Sequence, residues 1–564
     1  MENRNAAWTV MVYLAGDNNL TTECMFALTE MKQAAFGKHL NVIAQFDPSD
    51  PQLPTHRYHI KRRGKKKSFR HDIIDRACYT GDNGEVSFRN ESLRAQALAA
   101  DRKRERGFCR PELYESNLTG SPAEEEVITD DTDTGSPVTL YNFITFCLEN
   151  YPADHYLVVL SGHAGGTERD YLLKDESSTG SLTFNELKNV FRRIKQDRNG
   201  KTIDIIGMDN CLMSMTEICY ELRGVAEIVI GCESFSPASG WPYREVLERL
   251  AADFGSPRLR PGQSVAEEAA GAIVKEYVNY YANYWIAGLS VTQSALNVCK
   301  VETLREEIDK LAQLMEHQLA TEWYATATSM TARRFHDALL LAHWEAQSYN
   351  GEQFVDLYDF CHCLELRLED SAVAEQCRVV QEFLRNEFVL TSCYCGAAYQ
   401  YSYGVSLYFP WSHVAPSYWN LDFCKDANGG GWGSFLKTYT LLTRRAPRGI
   451  NGESRLAQAL NSTIADRLFS LRTSTDQLSG DRMGSDRMGS DRMGTDRMGS
   501  DRMGSDRMGS DRMGTDRMGS DRMNSGVAKN YIHSMRNPPD VFFPDECLRK
   551  RRSTLLTEEI LRLQ

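Results

Sequence analysis

Two side chains that could act together in a thiol hydrolase, an imidazole and a thiol, follow two separate apolar runs of the chain. The run Tyr156–Leu160 leads to His163, and the run Ile203–Met208 leads to Cys211, 48 residues after the histidine. A thiolate can attack an acyl carbon, and a neighbouring histidine can take the thiol proton and return it to a leaving amine. These two residues therefore predict cysteine-dependent acyl transfer, of which peptide hydrolysis is one form.

Each apolar run predicts a buried strand in an α/β fold with a largely parallel sheet. Earlier in the chain, strand-like and helix-like segments alternate over Trp8–Ala15, Thr22–Ala35 and Leu40–Phe46. Ligands of such sheets bind beyond the carboxyl ends of the strands. We therefore expect the two strands to place His163 and Cys211 in one crevice.

The residues next to the cysteine and the histidine predict how the site would work. Met213–Arg223 predicts a helix directly after Cys211, and the N–H groups at its start would favour a thiolate. The backbone N–H groups of Cys211, Ala164 and Gly165 are the predicted donors to an oxyanion.

An acidic residue, Asp209, lies two positions before Cys211 on the same predicted strand. Alternation along an extended strand points both side chains to the same side. A carboxylate hinders the ionisation of a nearby thiol, but it can bind a substrate cation such as Arg or Lys. The sequence thus indicates a binding role for Asp209.

Bulk composition excludes several classes of protein. The chain has 564 residues with 41% hydrophobic and 25% charged content, so most of it should fold. Its net charge of -12 argues against a nucleic-acid partner, and no apolar stretch is long enough to span a membrane. The amino terminus lacks the pattern typical of a signal peptide.

The cysteines predict an intracellular protein without a structural metal. There are 15 of them, and their spacing forms no regular disulfide framework. Reduced thiols are typical of the cytosol, so we expect a cytoplasmic location. Cys361 and Cys363 are too close together for a common zinc site, and no metal site is predicted.

Composition shifts divide the chain into four predicted parts, the last two polar. The most regular feature is a tandem array of nine Asp-Arg-Met-Gly-Ser units, which predicts a flexible linker because each unit has a single apolar residue. Whether the array is a spacer, a decoy substrate or a binding array is left open. The parts are a catalytic core at 1–250 with a polar insertion at about 90–133, a segment completing the fold at 251–443, a linker at 444–526 with repeats at 481–525, and a tail at 527–564.

Eight pieces of the chain, spanning about Trp8 to Tyr439, resemble clostripain-type cysteine peptidases, which share the caspase-like fold. The pieces follow one another in family order, and the segment ending in Asp-x-Cys-Leu-Met is the most specific. They are Trp8–Leu20, Thr134–Leu140, Tyr151–Tyr156, His163–Gly166, Ile205–Met213, Gly240–Tyr243, Asp356–Phe360 and Gly404–Pro410. The resemblance implies a three-layer sandwich around a largely parallel sheet.

The resemblance also implies a mechanism. His163 and Cys211 would form a catalytic dyad without an obligatory third member, working through a thioester acyl-enzyme. Asp209 would lie at the base of the pocket for the residue before the cut bond, giving cleavage after Arg or Lys. Ala164 replaces the glycine usual after the histidine, and Glu233–Trp241 has fewer acidic residues than is usual. No cofactor is expected, and calcium would follow from the resemblance alone.

A basic-specific protease in a cytosol would be toxic, so the enzyme is expected to be latent until processing or a trigger. The polar insertion contains four bonds that match the predicted specificity, after Arg102, Lys103, Arg104 and Arg106, and each repeat offers an Arg-Met bond. By analogy with bacterial caspase-like proteases, the setting would be cell-death defence. The substrate would be a protein with an exposed Arg or Lys loop, such as a gasdermin-like pore former.

Two other functions remain open from the sequence. The first is a non-catalytic, caspase-like adaptor that uses its repeat tail to bind a partner. The second is a different cysteine-dependent acyl transfer. The presence of both His163 and Cys211 favours the peptidase.

Overall fold

The structure is a computed structural model that describes most of the first 445 residues. The described ranges are 6–49, 55–60, 78–80, 86–88, 124–127, 133–253, 263–282, 290–326, 334–350, 353–368, 371–411, 413–425 and 431–445. The repeat array and tail, like Arg102, Lys103, Arg104 and Arg106, lie outside these residues.

Nine of the described strands form one sheet, in the spatial order β13-β10-β9-β8-β7-β1-β2-β3-β6. The five inner strands, from β9 to β2, pair in parallel, and the strands outside them pair antiparallel. A second sheet has the order β11-β12-β14, and β4 pairs with β5. In chain order the strands are β1 Ala6–Gly16, β2 Leu40–Pro48, β3 His56–His59, β4 Cys78–Thr80, β5 Val86–Phe88, β6 Glu124–Val127, β7 Ala153–Ser161, β8 Ile203–Asp209, β9 Ala226–Gly231, β10 Val291–Asn297, β11 Ser348–Tyr349, β12 Phe354–Asp356, β13 Val389–Cys395 and β14 Ser406–Tyr408.

Helices cover both faces of the large sheet. Local sequence fixes where some of them begin: Thr183 and Glu186 form a reciprocal capping box at the start of the helix Phe184–Asp197. In chain order the helices are α1 Thr21–Gln33, α2 Pro137–Asn150, α3 Gly166–Arg169, α4 Phe184–Asp197, α5 Thr216–Glu221, α6 Tyr243–Asp253, α7 Val265–Ala282, α8 Val301–Thr326, α9 Arg334–Glu345, α10 Leu357–Glu365, α11 Ala372–Phe383 and α12 Trp432–Arg445.

Alternation along the inner strands creates two hydrophobic cores, one on each face of the sheet. In β1, Met11 and Tyr13 belong to the core that also contains α2 and α4, whereas Val10 and Val12 belong to the core that contains α1, α6 and α7. Successive side chains of a strand point to opposite faces of the sheet, so alternate residues enter alternate cores. Burying each side chain of valine size contributes about 1.5–3 kcal/mol, which holds each strand in this orientation. The predicted three-layer α/β fold with a largely parallel sheet is confirmed.

One segment differs from the sequence prediction. The helix predicted over Met213–Arg223 begins only at Thr216, and this difference changes the chemistry of the cysteine. Within the described residues no helix is long and apolar enough to cross a bilayer.

Candidate active site

The site lies where three neighbouring parallel strands end. Leu14 of β1 pairs with Ser161 of β7, and Ser161 pairs with Asp209 of β8. His163 and Cys211 each follow two residues after these paired positions, so the chain leaves both strands at the same edge of the sheet. The register therefore brings the predicted histidine and cysteine to one edge.

A glycine turns the chain from β7 towards His163. Gly162 has φ of 153°, and a Cβ atom there would lie 3.1 Å from Cβ of Ala15 on the neighbouring strand. A side chain at this position would be both strained and crowded. The close approach of the two strand ends therefore depends on glycine.

The imidazole of His163 is half-buried and favours its neutral form. Burial lowers its pKa below the usual value, the positive charge of Lys174 lowers it further, and Glu176 opposes them. Its Nε2 lies 2.5 Å from Oδ1 of Asn19, in the segment after β1. A neutral imidazole can accept a proton, as a general base must.

The thiol of Cys211 is protonated in the resting structure. Burial raises the pKa of Cys211 to about 11; the Ser236 backbone N–H lowers it and the negative charge of Asp209 raises it. The Ser236 N–H donates to Sγ at 3.3 Å. At neutral pH the side chain is therefore a thiol and needs a base before it can attack.

The expectation that a helix begins directly at Cys211 is wrong. Leu212 has φ of 61°, and the N–H groups of Met213 and Ser214 both donate to the carbonyl of Cys232 at 2.9 Å. These bonds tie the chain to the segment after β9 in place of a helical turn, and α5 starts at Thr216. No helix N-terminus stabilises the thiolate here, consistent with the raised pKa of the thiol.

The predicted oxyanion donors differ in their availability. The N–H of Gly165 donates to the carbonyl of Tyr171 at 3.1 Å, so it is occupied in this structure. Ala164 faces Leu172 in a short antiparallel bridge, and the second hydrogen bond of this bridge is donated by the Leu173 N–H to the His163 carbonyl. The Ala164 and Cys211 N–H groups remain the better candidates for contacting an oxyanion.

Asp209 is buried beside the cysteine, with only 6% of its surface exposed. Its Oδ2 accepts hydrogen bonds from the hydroxyl of Tyr243 at 2.8 Å and the hydroxyl of Ser161 at 3.1 Å. Burial raises its pKa to about 6, and the Tyr243 bond acts in the opposite direction. The carboxyl is therefore mostly ionised at neutral pH.

The second carboxylate oxygen of Asp209 lacks a donor. Among the described residues Oδ1 is buried and has no hydrogen-bond partner. A buried, unpaired carboxylate oxygen is costly unless something donates to it. An ammonium or guanidinium group entering from the substrate side would satisfy it.

The loop at residues 232–241, which follows β9, contacts both the Cys211 thiol and the Asp209 carboxylate. It brings Ser236 to Cys211 and Gly240 to Asp209, and Tyr281 of α7 donates to the Gly240 carbonyl at 2.5 Å. Gly240 has φ of 66°, and a Cβ atom there would lie 2.7 Å from Oδ2 of Asp209. Glycine is therefore required where the loop passes over the carboxylate.

A separate group of carboxylates could hold a metal ion. Oxygens of Asp17, Asp47 and Asp175 lie within 4.8 Å of one another, and all three residues are buried. Donors within the protein already contact them, including the Thr55 hydroxyl on Asp47 at 2.7 Å and the Ser178 N–H on Asp175 at 2.9 Å. Oxygen ligands of this type suit calcium.

Of the residues predicted from sequence, His163, Asp209 and Cys211 lie at the same sheet edge, and the four basic residues of the insertion lie outside the described residues. Sequence reasoning assigned no role to Asn19 or Tyr243. Both fall in segments that resemble the family. The signal for Asn19 is its place after β1, a third strand that ends at the same edge of the sheet.

An α/β sandwich with a histidine, a cysteine and a buried acid at adjacent strand ends defines the class of caspase-like cysteine peptidases. The family model described as the clostripain family matches residues 12–439, and the chain belongs to that family. Its predicted membership of a cysteine peptidase family is confirmed.

The chain is also similar to individual known proteins. Clostripain from Hathewaya histolytica is 23% identical over 274 residues, which cover 45% of this chain and 44% of clostripain, so the chain spans less than half of that relative. An inactive zymogen C11 protease from Parabacteroides distasonis is 18% identical, with a TM-score of 0.46 over 75% of this chain and 98% of that one. A secreted C11 cysteine protease from Bacteroides thetaiotaomicron, in complex with an irreversible peptide inhibitor, is 16% identical, with a TM-score of 0.47 over 74% and 98%.

Proposed function

We propose that this protein is a cysteine endopeptidase that cleaves after Arg or Lys. The observation that supports this most strongly is the buried Asp209, which has an oxygen without a donor and lies beside the Cys211 thiol. A substrate cation at Asp209 would bring the carbonyl of the same substrate residue towards the sulfur. Charge-assisted bonds to a buried carboxylate give such a pocket its selectivity.

The reaction proceeds through a thioester. His163 takes the proton from Cys211 as the sulfur attacks the scissile carbonyl, and the N–H groups of Cys211 and Ala164 stabilise the resulting oxyanion. The imidazolium then gives its proton to the leaving amine as the C–N bond breaks. Water, deprotonated by His163, attacks the thioester, and the thiol is restored as the acid product leaves.

Latency is the second part of the proposal, and the protonated resting thiol supports it. With a pKa of about 11, Cys211 contributes very little thiolate at neutral pH. A processing step or a trigger that opens the site or moves His163 would raise the activity. Self-cleavage at Arg102, Lys103, Arg104 or Arg106 stays a prediction, as do the cytoplasmic location, a role in cell-death defence and a gasdermin-like substrate.

The proposal is tested with fluorogenic peptides that differ only in the residue before the cut bond: Arg, Lys, Asp or Ala. The purified full chain, with and without limited proteolysis, is compared with Cys211→Ala in the presence of a thiol reductant. We expect cleavage of the Arg and Lys peptides by wild type alone. Equal rates for wild type and Cys211→Ala, or no turnover after proteolysis, would reject the peptidase and favour the adaptor.

A further inference from the structure

Asn19 lies after a third strand end and contacts His163, the proposed general base. It follows β1, the strand that pairs with β7, and its Oδ1 lies 2.5 Å from Nε2 of His163. The two residues are 144 positions apart in the chain, so this contact exists only because the strands are neighbours. The site therefore spans three strand ends, whereas the dyad needs only two.

The turn that contains Asn19 is held by bonds which do not involve the Asn19 side chain. The amide of Asn18 donates to the carbonyls of Ala15 at 3.0 Å and Lys174 at 2.8 Å, and its Oδ1 accepts from the Leu20 N–H. The Thr21 hydroxyl donates to the Gly16 carbonyl at 2.5 Å. The position of Asn19 is thus set independently of its contact with the imidazole.

The same segment that holds this turn also holds the backbone of His163. Leu173 donates its N–H to the His163 carbonyl at 2.8 Å, Lys174 accepts from Asn18, and Glu176 donates to the Asp17 carbonyl at 2.8 Å. Residues 173–176 therefore connect the two partners of the contact. An arrangement supported on both sides is preorganised, because its geometry does not have to be found during the reaction.

The contact also selects one form of the imidazole. An amide oxygen only accepts hydrogen bonds, so the nitrogen facing Asn19 must bear the proton. In the neutral ring Nδ1 is then the nitrogen with a free lone pair. This is the nitrogen that can take the proton of Cys211.

We propose that Asn19 is a positioning residue that fixes the tautomer and rotation of His163, making the site a Cys-His-Asn triad. The inference rests on the proposed function, because a general base is needed only if Cys211 is the nucleophile. Asn19 acts through the histidine and touches no substrate. The other groups that influence the ring electrostatically are Lys174 and Glu176, whose side chains bond to each other and not to the imidazole.

The first test removes the amide. Asn19→Ala should lower kcat about tenfold at unchanged KM for the Arg peptide, the size of one lost hydrogen bond in the transition state. Because the Asn19 side chain is exposed, the melting temperature of the Asn19→Ala variant should match that of wild type. Thr22→Ala, a truncation of an exposed residue three positions away, is the matched control and should retain wild-type kcat.

The second test replaces the amide by a carboxylate of the same shape. In Asn19→Asp the negative charge favours the imidazolium, so the acid limb of the kcat profile should move up by about one pH unit. The activity should recover above that limb, because the carboxylate still accepts from Nε2–H. A limb that stays where it is in wild type would show that the side chain at position 19 does not contact the imidazole, and would overturn the proposal.

A third measurement does not depend on turnover. Nitrogen NMR of histidine-labelled protein, with the His163 signals assigned by their loss in His163→Gln, should show Nε2–H in wild type and a mixture of tautomers in Asn19→Ala. Unchanged tautomer and kcat in Asn19→Ala, or a raised kcat, would overturn the proposal. If wild type cleaves no peptide, the proposed function fails, and the tautomer measurement still decides the role of Asn19.

Discussion

Asp209 and Cys211 lie two residues apart at one strand end, and they differ in protonation state although burial raises the pKa of both. Asp209 is buried and Cys211 is half-buried. The carboxyl starts from a low ordinary pKa and reaches about 6, whereas the thiol starts from a much higher one and reaches about 11. The proposed binding group is therefore charged at neutral pH while the proposed nucleophile is not, so a basic substrate would bind before the thiol is ionised.

The two groups also oppose each other. The charge of Asp209 raises the pKa of Cys211, so the free site works against its own nucleophile. A bound Arg or Lys side chain would neutralise that charge in a medium of low dielectric, where such interactions are strong. We expect a basic substrate to promote ionisation of the thiol as well as to dock.

The largest expected effect comes from removing the charge of the binding group. Asp209→Asn should lower kcat/KM for the Arg peptide by about a hundredfold or more. The guanidinium of the bound peptide would then be buried without a partner, which costs about 2–5 kcal/mol. Asp204→Asn, which removes a carboxylate bound to His155 near the opposite end of β8, is the matched control. Comparable losses in both variants would show that the loss comes from damage to the strand.

The pH dependence of kcat/KM should differ between a charged and a neutral substrate. As the pH falls through about 6, Asp209 takes up a proton and loses its attraction for a cation, so kcat/KM for the Arg peptide should fall. A citrulline peptide, which has the same shape without the charge, should lack this component. Identical acid limbs for the two peptides would mean that Asp209 does not face the substrate cation.

A smaller effect is expected from the hydroxyl that supports Asp209. Tyr243→Phe removes a donor that lowers the pKa of Asp209, so that pKa should rise above about 6. The value of kcat/KM at pH 6.5 should fall about tenfold and recover at higher pH. Tyr439→Phe removes a buried hydroxyl that contacts His343, away from the site, and should leave the profile unchanged.

The smallest effect has the opposite sign. Asp209→Asn removes the charge that opposes the thiolate, so alkylation of Cys211 by iodoacetamide at pH 8 should become about two- to fivefold faster than in wild type. The rate is followed by mass spectrometry of the peptide that contains Cys211. A slower reaction would contradict the electrostatic coupling between the two residues.

The inner strands, and the placement of His163, Asp209 and Cys211 at one sheet edge, could be predicted from local patterns. The continuous apolar runs before His163 and Cys211 require burial on both faces, and such strands occur in parallel sheets. Asp209 followed from its spacing to the cysteine alone. Each of these inferences used residues close together in the chain.

The features that sequence reasoning missed depend on distant partners. The start of α5 is delayed because Met213 and Ser214 bond to the carbonyl of Cys232, which no local propensity encodes. Tyr243 lies in the family-like piece Gly240–Tyr243, but its hydroxyl reaches Asp209 only because the loop at 232–241 folds back onto the strand end. Strand β13, at an outer edge of the sheet, mixes polar and apolar residues without a clear pattern.

The central claim is that the charged pocket and the thiol form one site. The most direct measurement uses two chloromethyl ketone peptides, ending in Arg or in citrulline, and locates the modified residue by mass spectrometry in wild type and Asp209→Asn. After limited proteolysis to relieve the proposed latency, we predict fast labelling of Cys211 by the Arg probe in wild type alone, and slow labelling in the other three combinations. Labelling of another cysteine, or equal rates for both probes in wild type, would contradict the account.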